Sequence, residues 1–216
     1  MSNSEHVGIA RHAAYHQMPA TDLVLDRQAS PLVRGDRRAI SGPAPIGVTE
    51  RMMGHLILRG SPEALSTAVV QSLGLALPAA PLTSSVEGAV CIRWLGPDEW
   101  LLTLPTEALA QTEADLRQVG GAEIALVDVS GGQTLLLIEG DSATQVLMKS
   151  MSYDVGLQNF PAGKVVTTTF AQAQVVLRRV NDVTFELVLR RSFADYLWAW
   201  LRDAATEYGF AIHDEG

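Results

Sequence analysis

Apolar and polar positions are most regularly ordered over residues 90–104, where Val-Cys-Ile-Arg-Trp-Leu and Trp-Leu-Leu-Thr-Leu flank Gly96-Pro97-Asp98-Glu99. Gly tolerates positive φ, Pro presets φ and Asp bonds its own backbone, so the four residues predict a turn and the whole stretch a β-hairpin. With the turn centred there, Ile92 and Trp94 share one face of the first strand, and Trp100, Leu102 and Leu104 share one face of the second. The plan returns at 175–189, where Asn181-Asp182 supplies the turn and Phe185, Leu187 and Leu189 fall where Trp100, Leu102 and Leu104 fell. Upstream of each hairpin lies a strand ending in glycine (55–60 and 134–140) and then a helix (61–73 and 141–151). A further helix follows each hairpin (106–119 and 192–208). The chain therefore reads as two copies of strand, helix, strand, strand, helix, offset by 80 residues at Gly60/Gly140 and by 85 at Leu104/Leu189. An internal repeat of this kind decides the fold before any local detail does.

The local signals agree. Ser61-Pro62-Glu63 is a helix start with a capping hydroxyl, Pro at the first position and an acid in the first turn; Leu65, Val69 and Leu73 share a face and Gly74 stops the helix. Thr106 is expected to cap the helix that ends at Gly120-Gly121. In the last helix Ser192 and Asp195 form a capping-box-like pair, and Phe193, Tyr196, Leu197, Trp200, Leu201, Ala204 and Tyr208 make an apolar stripe. Trp198 lies about 120° from the centre of that stripe at 100° per residue. It is therefore expected either at the shoulder of the core or as an interface anchor, since tryptophan is enriched at interface hot spots.

Residues 1–50 read differently. They hold four of the ten prolines and three of the five histidines, with only short apolar patches at Leu23, Val24, Leu25, Leu32 and Val33. Such a segment buries too little to offset its own ordering entropy, and is expected to be an extended arm laid along a partner or the body of the protein. Leu23, Val24, Leu25 and Leu32, with Trp198, are the expected partner-contact residues. The fold class is α+β: an arm (1–50) and two pseudo-symmetric β-α-β-β-α halves (51–121 and 122–216) with largely antiparallel sheets, packed as one body.

A formal net charge of −8 opposes binding to nucleic acid or an anionic membrane, both of which need a basic surface. No apolar run approaches the ~20 residues of a membrane span. The first residues carry no signal-peptide apolar region, and the single cysteine, Cys91, fits a reducing compartment, so a cytoplasmic location is expected.

Catalytic constellations are scarce in the sequence. There is no HExxH, GxSxG or CxxC, and His6, His12 and His16 lack the spacing of a zinc site. Ser130-Gly131-Gly132 precedes a strand rather than the helix that a phosphate cradle needs. Asp98 and Glu99 read as turn residues first, Cys91 as a small buried hydrophobe, and Asp128 and Asp154 as single acids near strand ends, where ligands often bind, each equally able to serve as a cap. No catalytic, cofactor-binding or metal-ligating residue is expected.

The blocks Trp94-Leu95-Gly96-Pro97-Asp98-Glu99-Trp100-Leu101-Leu102, Asp128-Val129-Ser130, Phe160-Pro161-Ala162-Gly163 and 190–198 (Arg-Arg-Ser-Phe-Ala-Asp-Tyr-Leu-Trp) together resemble the gamma subunit family of heterotetrameric sarcosine oxidase. The likeness extends over roughly residues 30–210. Asp128-Val129-Ser130 with Gly140-Asp141 is shared more widely with the aminomethyltransferase (T-protein) superfamily, whose folding unit binds folate. The resemblance implies a structural, non-catalytic subunit resting mainly on alpha, with beta and delta completing the complex. That complex converts sarcosine to glycine with release of hydrogen peroxide and formation of 5,10-methylenetetrahydrofolate. It also implies that NAD, FAD, FMN, tetrahydrofolate and zinc belong to the other subunits. The alternative is a stand-alone folate-dependent aminomethyltransferase-like or one-carbon-handling protein, for which the chain is short.

Overall fold

The computed structural model describes residues 38–213. Its strands are β1 (Ile46–Arg51), β2 (Met53–Gly60), β3 (Ser84–Glu87), β4 (Val90–Gly96), β5 (Glu99–Pro105), β6 (Ile124–Asp128), β7 (Gln133–Glu139), β8 (Val165–Phe170), β9 (Ala173–Arg179), β10 (Thr184–Arg190) and β11 (Phe210–His213). Its helices are α1 (Pro62–Leu73), α2 (Leu109–Gly120), α3 (Ala143–Ser150) and α4 (Ala194–Ala204). The two hairpins and their upstream strands and helices stand where the pattern put them. Trp100, Leu102, Leu104 and Ile92 share one core with α1 and α2, while Phe185, Leu187 and Leu189 share another with α3 and α4.

One sheet has the order β3-β4-β5-β2-β6 and the other β8-β9-β10-β7-β1, extended by β11. The orders match strand for strand, so the duplication seen in the sequence is a duplication of topology. Pairing is antiparallel except between β1 and β11. Alternate residues of β5 and β10 point opposite ways: one set packs on helices, and Leu101 and Val188 meet Leu135 between the sheets. The result is a helix, sheet, sheet, helix stack with the inner faces of the two sheets against each other.

The first strand of each half crosses to the sheet of the other: β1 pairs with β7, and β6 pairs with β2. Two glycines make the crossing possible. Gly60 (φ 152°) and Gly140 (φ 127°) adopt backbone that L side chains rarely take, and a Cβ there would lie 2.9 Å from the Glu123 carbonyl oxygen or 2.9 Å from that of Pro45. Neither 51–121 nor 122–216 thus holds a whole sheet by itself. Residues 46–50, read as the end of the arm, form β1 instead, with Ile46 and Val48 fully buried.

The helix starts divide. Ser61 Oγ accepts from the Ala64 N–H at 3.2 Å and Gly74 closes α1 in the left-handed region, as expected. Thr106 does not cap a helix: it opens a 3₁₀ turn and its hydroxyl donates to the Met52 carbonyl. Nor does Ser192 cap α4, because residues 191–193 form a 3₁₀ turn. The buried stripe of α4 is Ala194, Leu197, Trp198, Leu201 and Ala205, about 80° away from the expected one, with which it shares Leu197 and Leu201.

Candidate functional site

The inner faces of the sheets carry a charged cluster. Arg93 on β4 and Arg178 on β9 occupy the same place in the two hairpins, and both reach Glu186 on β10. Arg178 Nε donates to Glu186 Oε2 at 2.8 Å; Arg93 donates to the same oxygen and, through its second terminal nitrogen, to Thr103 Oγ1 at 2.7 Å. Burial alone would raise the pKa of Glu186, but the Arg178 hydrogen bond and both guanidinium charges overturn this and hold it at about 2. Neighbouring groups are quiet. The Cys91 thiol is buried and burial pushes its pKa up, which removes the thiolate that nucleophilic chemistry requires. His55 is fully buried with neither ring nitrogen bonded, and burial, seconded by Arg93, lowers its pKa to about 4.

The sheets splay at one end into a cleft of about 440 Å³. Ile57, Leu95 and Glu99 form one wall and Val176, Val188 and Arg190 the other, with Gln133 between. A second bay of about 480 Å³ shares Val129, Gln133 and Arg190 and adds Gly131, Gly132, Arg191 and Ser192 at its rim. Gln133 Oε1 is buried there without a hydrogen-bond donor. Beyond the rim rises an aromatic ridge: Phe193, Tyr196 and Trp200 are 42%, 40% and 41% exposed, and the last two pack on each other at 6.3 Å.

Of the expected contact residues, Trp198 is placed differently. It is 2% exposed and stands edge-on to Phe210 of β11 at 5.2 Å, so it is a core side chain and leaves the surface role on α4 to Tyr196 and Trp200. Leu23, Val24, Leu25 and Leu32 lie outside the described residues, as do His6, His12 and His16. The single acids are structural. Asp128 Oδ1 accepts from the Ser130 N–H at 2.9 Å, and Ser130 Oγ accepts from the His55 N–H at 2.9 Å. Asp154 Oδ1 accepts from the Gly156 N–H at 2.8 Å, a bond that lowers its pKa. Asp98 and Glu99 sit at the hairpin end, each 3.7 Å from Arg59. The pattern offered one overlooked signal: Arg93 and Arg178 interrupt apolar strands at matched places, 85 residues apart.

Among the described residues no group of His, Cys, Asp and Glu is arranged to hold a metal ion. No helix among them is long and apolar enough to cross a membrane.

The profile of the sarcosine oxidase, gamma subunit family matches residues 59–207. Sarcosine oxidase subunit gamma of Corynebacterium sp. (strain U-96) is 33% identical over 148 residues, covering 67% of this chain and 70% of that one. The Arthrobacter sp. subunit gamma is 30% identical over 143 residues, covering 65% and 70%. In three dimensions the chain is similar to one in the heterotetrameric sarcosine oxidase of Corynebacterium sp. U-96, with TM-score 0.73, 28% identity and coverage of 82% and 94%. The aminomethyltransferase T of the Bartonella henselae glycine cleavage system shares the fold, with TM-score 0.54, 17% identity and coverage of 80% and 48%. This chain belongs to the sarcosine oxidase gamma subunit family.

Proposed function

We propose that this chain is the non-catalytic gamma subunit of a cytoplasmic heterotetrameric sarcosine oxidase, bracing the alpha subunit beside beta and delta. The complex oxidatively demethylates sarcosine to glycine, with formation of hydrogen peroxide and 5,10-methylenetetrahydrofolate. The observation that carries the reading is the family match over residues 59–207, joined to an interior whose reactive side chains are all spent on structure. Glu186 is held by two arginines, His55 is dry and uncharged at neutral pH, and the Cys91 thiol is held protonated by burial. None of these fits a zinc or flavin site: His55 stands in no cluster of metal-binding side chains among the described residues, and the cleft offers Arg190, two amides and the single carboxylate of Glu99. FAD, FMN, NAD, tetrahydrofolate and zinc are accordingly assigned to the companion subunits.

Affinity-tagged chain expressed in its native host should bring down three further polypeptides and a flavin absorbance band. Recovery of the chain alone, soluble and folded, would overturn the proposal. The fold shared with the T-protein favours folate handling as the second reading. That reading predicts saturable tetrahydrofolate binding by the chain alone, where the subunit reading predicts none.

A further inference from the structure

We propose that the cleft where the sheets splay is the seat of an extended segment of a partner subunit, one that carries an apolar side chain within two residues of a carboxylate. The inference rests on the subunit reading above. Three features of the cleft specify the occupant. Its walls, Ile57 and Leu95 on one sheet and Val176 and Val188 on the other, form an apolar slot into which a single aliphatic or aromatic side chain fits. Gln133 lines the slot with its Oε1 enclosed and without a donor, and a buried acceptor left unsatisfied costs about 1–3 kcal/mol, which the side chain would recover by turning outwards to a main-chain N–H of an entering segment. Arg190 stands exposed at the mouth and makes no ion pair among the described residues.

The sign of the charge matters because the chain as a whole is at −8. Against that background Arg190, shared by the cleft and the bay while the Glu99 carboxylate of the facing wall lies 3.7 Å from Arg59, is a local reversal that selects a carboxylate. The shape argues for a chain segment over a small metabolite. Small ligands bury 70–90% of their surface, in round terms, whereas this cleft runs open along Thr167, Gln174 and Arg190, all exposed. The open side continues past Ser192 to the Phe193, Tyr196 and Trp200 ridge, so a segment leaving the slot meets three exposed aromatics of the kind that anchor interfaces.

The test uses the assembled complex with p-benzoylphenylalanine replacing Gln174 in this chain. Illumination should join Gln174's position to one partner peptide in which Asp or Glu lies within two residues of an apolar side chain. In parallel, Arg190→Glu should lower retention of the chain by its partners about tenfold or more, as expected when a carboxylate meets the wrong charge, and Arg190→Lys should restore most of it. Because Arg190 is exposed, the thermal midpoint of Arg190→Glu serves as the folding control and should match wild type. An intact complex in which position 174 joins nothing, a basic segment or a second copy of this chain overturns the inference, as does wild-type retention of Arg190→Glu. A wild-type chain that recruits no partner overturns the subunit reading itself, which keeps the two failures apart.

Discussion

Glu186→Gln is the substitution that probes the inter-sheet layer most sharply. The side chain keeps its shape and loses its charge, so Arg93 and Arg178, 0% and 6% exposed, remain facing each other with no counter-charge. Removing one member of a buried ion cluster costs about 3–5 kcal/mol, because the charges left behind keep their desolvation penalty. Against a domain stability of about 5–15 kcal/mol that is a large share. With a urea m-value of about 2.5 kcal/mol/M the unfolding midpoint should fall by about 1–2 M. Trp100, buried in the core beside β4, supplies the fluorescence signal. The companion variant Arg93→Met/Arg178→Met/Glu186→Leu replaces the whole cluster by apolar groups and should unfold at or above the wild-type midpoint. A Glu186→Gln midpoint within ~0.3 M of wild type would refute the claim that Glu186 holds the two guanidiniums in place.

Acid should weaken the fold in two stages. His55 binds its proton at about 4 when folded and at the ordinary 6.5 when unfolded, so between those pH values the unfolded state holds more protons and stability falls as pH falls, by ~3 kcal/mol in all; His55→Leu should flatten that part of a stability–pH curve. Glu186 is lowered from 4.5 to about 2, so its stabilisation is complete above 4.5 and is lost towards 2, a second slope that Glu186→Gln should abolish. Trp198→Ala should cost about 3–5 kcal/mol through the cavity it leaves against Phe210, whereas Trp200→Ala should stay within ~0.5 kcal/mol in thermal unfolding of the chain; equal losses would contradict the stripe found on α4. Gly140→Ala, forced into left-handed φ with its Cβ against the Pro45 carbonyl, should lower the melting temperature by several degrees, and Gly131→Ala, with open space around it, should not.

The duplication and the hairpins were legible because they rest on strong signals: a Gly-Pro-Asp turn, period-two apolar runs and glycines ending matched strands. The strand exchange was not. β1 and β2 are separated by Met52 alone, so residues 46–50 read as the tail of a proline-rich arm leading into one strand, and nothing local says that this tail is itself a strand of the other sheet. β3 (Ser-Ser-Val-Glu) and β11 (Phe-Ala-Ile-His) are four residues each, too short for a periodicity to declare itself. α4 misled for a related reason. Its exposed aromatics Phe193, Tyr196 and Trp200 look like core at helical spacing, and Phe210, the contact that draws Trp198 inward, lies on one of those unrecognised strands. The cleft was not legible, because it is lined from seven strands of the two sheets, and Gln133 and Arg190 do not stand out in their own segments.

The role proposed for this chain is to support an oxidising complex without taking part in its chemistry. It is tested most directly by sarcosine-dependent peroxide formation, expressed per bound flavin, in complexes assembled with and without the chain and with His55→Leu or Cys91→Ala in it. The account predicts that omitting the chain lowers the yield and thermal lifetime of the complex, while turnover per flavin in what survives stays within about twofold of wild type, for the variants as well. A fully assembled, flavin-loaded complex whose turnover collapses on changing one of these residues would contradict it.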